Sequence, residues 1–246
     1  MEEYRKRFYG AYNFQWEGLH SSTKEEYEFY SRVAKRRFAK IIPAHRDLTI
    51  LDLACGAGHF LYYLKKQGYK NVHGIDIAES QIEIARRMGI REVEKADIFE
   101  YLPGHKEQFD VIVCFDIIEH LKKDEIINLL EAIRESLKPQ GLVVIHTINA
   151  SSLFGANLAY CDFTHEVSFT PTSLFTVLKV CGFIDVKVFG DEPVIHDIRS
   201  LFRSIFWKII KIFLKSYCLI ESGAGRGLWK RQFIFEPTMF GLGRKR

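Results

Sequence analysis

The fold turns on "ILDLACGAGHFLYYL", Ile50 to Leu64. An apolar, β-type run carries Asp52 near its end, a turn of small residues covers Ala54 to Gly58, and an amphipathic run follows. A strand, a small-residue turn and a helix in that order bring backbone amides close to one spot, where a ligand can approach. Gly56-Ala57-Gly58 matches only the first half of G-x-G-x-x-G. Leu61 stands where the third glycine would allow close helix–strand packing, which argues against a dinucleotide site. Taken alone, the stretch also fits an ordinary strand-to-helix turn.

Outward from this stretch, short β-branched runs alternate with amphipathic helical runs. The pattern predicts strands at Thr49–Ala54, Val72–Ile75, Glu92–Lys95, Val111–Phe115, Leu142–Thr147, Ile184–Phe189 and Lys230–Phe235. Helices are predicted at Gly58–Gln67, Glu79–Met88, Lys123–Leu137 and Thr172–Cys181. Such alternation, with strands apolar on both faces, specifies an α/β fold: a doubly wound, seven-stranded, mainly parallel sheet. The 246 residues suit a single domain. Its parts are a helical extension or lid at 1–45, a cofactor-binding core at 46–191 with a loop at 150–170, a basic amphipathic insertion at 192–226, and a last strand and basic tail at 227–246.

Composition narrows the class. With 47% apolar and 27% charged residues the chain reads as globular, and a net charge of +4 is too mild to demand an anionic partner. The five cysteines form no C-x-x-C pair and no disulfide framework, so a reducing cytoplasm is the expected location. The first thirty residues show no apolar leader, and no run of 18 uncharged apolar residues suits a membrane span.

In doubly wound sheets ligands bind beyond the carboxyl ends of the strands. Acids stand there in series. Asp52 comes first, and Asp76 in "HGIDIAES" ends the second strand, where it can accept ribose hydroxyls. Asp97 in "KADIFEYL" follows the third and can accept from an adenine amino group. Ile77 and Ile98, each next to its acid, can sandwich the ring. "FDVIVCFDIIEHL" then brings Phe115, Asp116, Glu119 and His120 to the end of the fourth strand.

This ordered set resembles the class I S-adenosylmethionine-dependent methyltransferases. "LDLACGAGHF" is similar to their glycine-rich first motif, "GIDIAESQIEIAR" to their ribose-binding strand and "KADI" to their adenine-contacting turn. "FDVIVCFDIIEHL" and "LKPQGLVVIHTIN" resemble their fourth- and fifth-strand motifs. The resemblance covers about residues 48–149 and departs at Ala54, where the family usually has glycine. It implies a Rossmann-like methyltransferase fold. Asp52 and the turn of Ala54, Cys55, Gly56 and Gly58 would face the methionine part of the cofactor. Asp76, Ile77 and Gln81 would lie at the ribose, Asp97 and Ile98 at the adenine, and Phe115 and Asp116 beside the methyl group. A cationic sulfonium suits carboxylates better than a pyrophosphate would, so S-adenosyl-L-methionine is the expected cofactor.

Oxygen acceptors need a base, which usually contributes about 10²–10⁴-fold. "YCDFTHEVSFTPTSL", Tyr160 to Leu174, follows the fifth strand and offers His165 as base, with Asp162 or Glu166 to orient it; His120 is the rival base. The same loop also reads as a solvated connection that caps the next helix. His146, inside an apolar strand, reads as a satisfied core histidine. Asp162, His165 and Glu166 are a weak metal set, and no metal is expected. The loop resembles those of methyltransferases from bacterial polysaccharide and glycolipid gene clusters; more distantly the chain is similar to ubiquinone-pathway O-methyltransferases. These comparisons imply O-methylation of a saccharide or glycolipid hydroxyl, with a quinol or lipid-phenol acceptor, or a catalytically silent cofactor-binding module, as alternatives.

"IRSLFRSIFWKIIKIFLKSYCLI", Ile198 to Ile220, repeats apolar residues at helical spacing and carries five cations and no acid. It suits packing on the core, pairing with a second copy in a homodimer, or peripheral contact with the inner face of a membrane. No nucleic-acid surface is evident.

Overall fold

The computed structural model describes residues 3–10, 23–222 and 233–246. Among the described residues two helices precede the sheet, α1 (Glu3–Gly10) and α2 (Lys24–Phe38). The strands are β1 (Thr49–Leu53), β2 (Asn71–Asp76), β3 (Val93–Lys95), β4 (Phe109–Phe115), β5 (Leu137–Ile148), β6 (Ile184–Gly190) and β7 (Thr238–Arg244). Between them lie α3 (His59–Lys66), α4 (Glu79–Arg87), α5 (Ile98–Tyr101), α6 (Lys123–Ser136), α7 (Gly155–Tyr160), α8 (Pro171–Val180) and α9 (Ile198–Ser222).

Among the described residues the strands form one seven-stranded sheet in the order β3-β2-β1-β4-β5-β7-β6. The first five strands run parallel, and β7 inserts antiparallel between β5 and β6. The order reverses between β1 and β4, so the crevice for a ligand opens beyond the carboxyl ends of those strands. Successive residues of a strand point to opposite faces. Leu51, Ile112, Cys114 and Val143 therefore enter one apolar core, while Ile50, Val111, Val113 and Val144 enter the other. Helices cover both cores, which is why these strands carry no polar alternation.

The last strand departs from expectation. Of the predicted Lys230–Phe235, residues 230–232 lie outside the described residues, 233–235 are not in strand, and β7 starts at Thr238. Its glycines hid it, because glycine disfavours strands. Packing requires them: a Cβ on Gly243 would lie 2.9 Å from the Phe183 Cβ, and one on Gly241 3.0 Å from a Leu174 methyl.

The missing third glycine has a compensating partner. Leu61 projects from α3 onto β2, and the strand residue beneath it is Gly74. A Cβ there would sit 2.5 Å from Leu61 Cδ1 and 2.8 Å from Cys55 Sγ. The small residue that allows close approach has moved from helix to strand. Gly74→Ala would overpack this contact and is expected to cost roughly 1–3 kcal/mol. Urea unfolding of the variant checks this; a stability equal to the parent's would show that α3 can shift freely.

The amphipathic insertion forms a helix, but with its polar row inward. Ser200 and Ser204 are buried, and Trp207, Lys211, Leu214 and Cys218 are half-buried. The large apolar residues point outward, so the core-packing reading of that apolar face does not hold. The anchor is Glu236, 3% exposed. It accepts from Trp207 Nε1 at 3.1 Å and pairs with Lys211 Nζ at 2.8 Å.

Candidate active site

The turn after β1 is built by left-handed backbone. Gly56 (φ 52°) and Gly58 (φ 78°) adopt it freely, and Ala54 adopts it at φ 55°. Alanine is thus under strain where glycine would not be. The turn is tied down by Cys55 N donating to the Ile75 carbonyl at 2.9 Å and by Gly56 N donating to Asp76 Oδ2 at 2.8 Å. Asp76 Oδ1 accepts from Ala78 N at 2.8 Å. Two amides therefore aim this carboxylate, and each of its oxygens keeps a further lone pair for a hydroxyl. Ile77 follows it half-buried, and Gln81 brings its amide oxygen within 3.9 Å of where a Gly56 Cβ would be. Asp97 caps α5 by accepting from Phe99 N at 2.8 Å, and Ile98 is buried beside it.

The crevice is electrostatically one-sided. Burial, and then the neighbouring Asp76, hold the Asp52 carboxyl well above the usual range; burial raises Asp76 as well. Carboxylates crowded in this way gain most from a cationic ligand. The expected cofactor fits on that observation, with Asp52 and Asp76 as the groups that would hold it.

The reading of 1–45 as a helical extension or lid named no contact residue, and α2 supplies two. Tyr27 on α2 stacks on His59 with ring centroids 4.0 Å apart and donates to the Ala57 carbonyl at 2.6 Å. Tyr30, one turn on, has its hydroxyl pushed up by burial and by the Asp52 carboxylate. Their i, i+3 spacing announces a buried helix face, but not what that face covers. The helix α1, the first part of the expected 1–45 extension or lid, packs on the 150–170 loop. Arg5 is 3% exposed and grips Glu125 through Nη1 at 2.8 and 3.0 Å, and Phe8 stacks on Phe163 at 5.5 Å.

The end of β4 has partners that the sequence did not announce. Phe115 packs among Phe38, Phe60 and Phe240. Asp116 takes left-handed backbone (φ 51°) and pairs with His146 Nδ1 at 2.7 Å. His146 finds its partner, as a satisfied buried histidine must, and that partner is a carboxylate. Burial alone would lower its pKa, but Asp116, with Asp191 at 3.6 Å, raises it to about 10. Arg37 pairs with Asp191 at 3.1 Å, so charges alternate from α2 through β6 and β5 to β4.

The candidate bases meet just beyond. His120 Nδ1 lies 2.7 Å from Thr164 Oγ1, whose own hydrogen goes to Asp162 Oδ1 at 2.7 Å. The hydroxyl must then accept from Nδ1–H, which leaves His120 Nε2 with a lone pair. His165 Nδ1 faces the Ala159 carbonyl at 3.1 Å, and a carbonyl only accepts, so its Nε2 is bare too. The two rings meet edge to face at 4.6 Å. Burial, then His165, hold His120 down to about 4, so it is neutral at pH 7. Glu119 is 2% exposed and accepts from Thr147 Oγ1 at 2.9 Å. Burial, then Asp116, lift it to about 8. Glu166 does not orient His165: its carboxylate bonds Tyr4 Oη and approaches Arg5, because the charge of Arg5 draws it toward α1. Asp162 does the orienting, through Thr164, and it orients His120. Ligand atoms of Glu119, His120 and His165 lie within 4.8 Å of one another. This set, not the Asp162, His165 and Glu166 considered from sequence, could hold a divalent cation.

Two outcomes test these assignments. Ala54→Gly removes the left-handed penalty but frees the unfolded chain, for a net gain of about 0.5–1 kcal/mol; thermal unfolding should show a higher midpoint. His146 has its pKa raised from 6.5 to about 10. Its contribution to stability is complete below about pH 6.5 and is lost as pH rises through about 10. His146→Gln should therefore be less stable than the parent at pH 7, and the gap should close toward pH 10 in urea titrations.

A family profile described as "Methyltransferase domain" matches residues 24–188. A ubiquinone biosynthesis O-methyltransferase of Roseobacter denitrificans is 32% identical over 166 residues, 61% of this chain and 66% of that protein. One from Hydrogenovibrio crunogenus is 31% identical over 117 residues, 46% and 47% of the two chains. The chain thus spans about half to two thirds of these relatives' length. A crystal structure of an S-adenosylmethionine-dependent methyltransferase from Archaeoglobus fulgidus superposes with a TM-score of 0.64 at 25% identity, covering 90% of this chain and 97% of that one. The profile spans more than half of the chain and includes the crevice: this chain belongs to the class I S-adenosylmethionine-dependent methyltransferases.

Proposed function

We propose that the chain methylates a hydroxyl group, and that the hydroxyl is of the quinol or lipid-phenol class. The observation that carries the first part is the pair of bare imidazole nitrogens on His120 and His165, beside Glu119 at the ends of β4 and β5. A hydroxyl must lose a proton as the new bond forms, and an imidazole lone pair can take it. The names of the relatives support the second part, and favour it over the saccharide or glycolipid hydroxyl that the loop suggests. Chemistry agrees, because a phenol at a pKa near 10 is within reach of an imidazole base.

Bound S-adenosylmethionine supplies a methyl group on a positively charged sulfur. Asp52 and Asp76 hold its cationic and ribose portions, Gln81 and Ile77 flank the ribose, and Asp97 and Ile98 receive the adenine. Phe115 and Asp116 line the crevice near the reacting end. His165, half-exposed, is assigned the base. His120 is too weak a base at a pKa of about 4 and instead positions the His165 ring. Glu119, neutral at pH 7 with its pKa near 8, adds no charge to repel a developing phenolate. α1 over the loop keeps water from the transfer.

The test is methyl transfer from labelled S-adenosylmethionine to a quinol analogue and to a saccharide, with His165→Ala alongside. Label is expected in the quinol, and the variant should turn over about 10²–10⁴-fold more slowly with unchanged cofactor affinity. A loss under about threefold would remove His165 as base. Label only in the saccharide would overturn the acceptor class, and cofactor binding without transfer to either would favour the silent module. Activity abolished by a chelator and restored by Zn²⁺ would reassign the Glu119–His120–His165 cluster from base to metal site.

A further inference from the structure

We propose that α9 is a membrane-docking helix that lies flat on an anionic lipid surface. The observation is its inverted amphipathicity. Its inward row is Ser200, Ser204, Trp207, Lys211, Leu214 and Cys218, spaced three or four residues apart as one stripe of a helix requires. Its outward face is apolar: Ile198 is 64% exposed, Phe206 61%, Ile212 65%, Phe213 70% and Ile220 84%. A solvated surface helix does the opposite. Large apolar side chains this exposed, in a row along a helix of 25 residues, mark a surface that is covered by something apolar.

The charges identify the cover. Projected at about 100° per residue, the exposed apolar side chains occupy roughly half of the circumference. Arg203 flanks one edge of that half with Arg199 just inside it, and Lys208 and Lys215 flank the other; all four are exposed. The fifth cation, Lys211, faces the body and is neutralised by Glu192 at 2.7 Å and Glu236 at 2.8 Å. Cations on both borders of an apolar face, with their long stems along it, sit at headgroup level when that face enters the acyl boundary. A second copy pairing through the same face would bring these cations together, with no acid between Ile198 and Ile220 to offset them. An anionic bilayer meets both the apolar face and its borders. Among the described residues no helix is long and apolar enough to cross a membrane, so the helix lies on the bilayer and does not span it.

The docking is anchored to the catalytic body. Glu236, which holds Trp207 and Lys211, belongs to the segment whose carbonyl accepts from Asn149 Nδ2 at 2.9 Å, directly after β5. Lipid binding through α9 would therefore keep the crevice at the surface from which a lipid-borne acceptor arrives. The inference itself does not depend on the acceptor being one.

Vesicle flotation tests it, with the full chain and two kinds of vesicle: phosphatidylcholine alone, and phosphatidylcholine with about one third phosphatidylglycerol. The protein should float with the anionic vesicles, and binding should fall with added salt. Lys208→Glu/Lys215→Glu should weaken binding by about tenfold or more, and Phe206→Ser/Phe213→Ser should do the same at unchanged salt dependence. All four positions are exposed, so melting curves and cofactor affinity should match the parent's. Absence of flotation, or flotation of both variants equal to the parent's, would overturn the proposal. So would a dimer in sedimentation equilibrium that Phe206→Ser/Phe213→Ser dissociates, because a second copy would then be the cover.

Discussion

The rest of the site depends on one close contact, the turn after β1 lying against β2. Backbone can approach backbone there because Gly74 has no side chain under Leu61 and Cys55. That approach lets Gly56 N and Ala78 N share the Asp76 carboxylate and fixes the turn at the mouth of the crevice. A dinucleotide-type turn would place the small residue on the helix. Here it lies on the strand, at Gly74. The strain of Ala54 at φ 55° is tolerated because hydrogen bonds on both sides hold the turn in place.

From that turn outward the site is a problem of charge. Two buried carboxyls face each other at the ends of β1 and β2, and a further line of alternating charges runs Arg37, Asp191, His146, Asp116. The first pair is incomplete without a cationic ligand; the second is complete in itself. The first lies where the cofactor is proposed to sit; the second ties the ends of β4, β5 and β6 together. Beyond both, His120 and His165 are fixed by bonds at Nδ1, which sets the tautomer and leaves Nε2 bare.

How much of this was legible in the chain can be judged from single residues. Asp52, Asp76 and Asp97 were readable because each falls at a strand end in a strongly periodic pattern, and the topology must send those ends to one side. The strand at Thr238–Arg244 was not, because Gly241 and Gly243 answer to Leu174 and Phe183 across the core, which local propensity does not report. The partners of His146 were hidden for a related reason: an apolar run says that a residue is buried, but not that two aspartates from other elements lie within reach. Glu166 stood next to His165 in sequence and turned to Arg5, and Tyr27 and Tyr30 gave a buried face without saying what it covers.

The sequence by itself determined the α/β alternation and the order of the acids, because these follow from periodicity and spacing along the chain, and its motifs carried the family resemblance. Tertiary structure alone decided which imidazole nitrogens are bare, which carboxylate orients which ring, and which side of α9 faces out. Those depend on partners brought from distant segments: Thr164 to His120, Ala159 to His165 and Glu236 to Trp207 and Lys211. A helical repeat fixes that a helix has an apolar side. Only the hydrogen bonds and ion pairs on its other side determine that the apolar one is turned away from the protein.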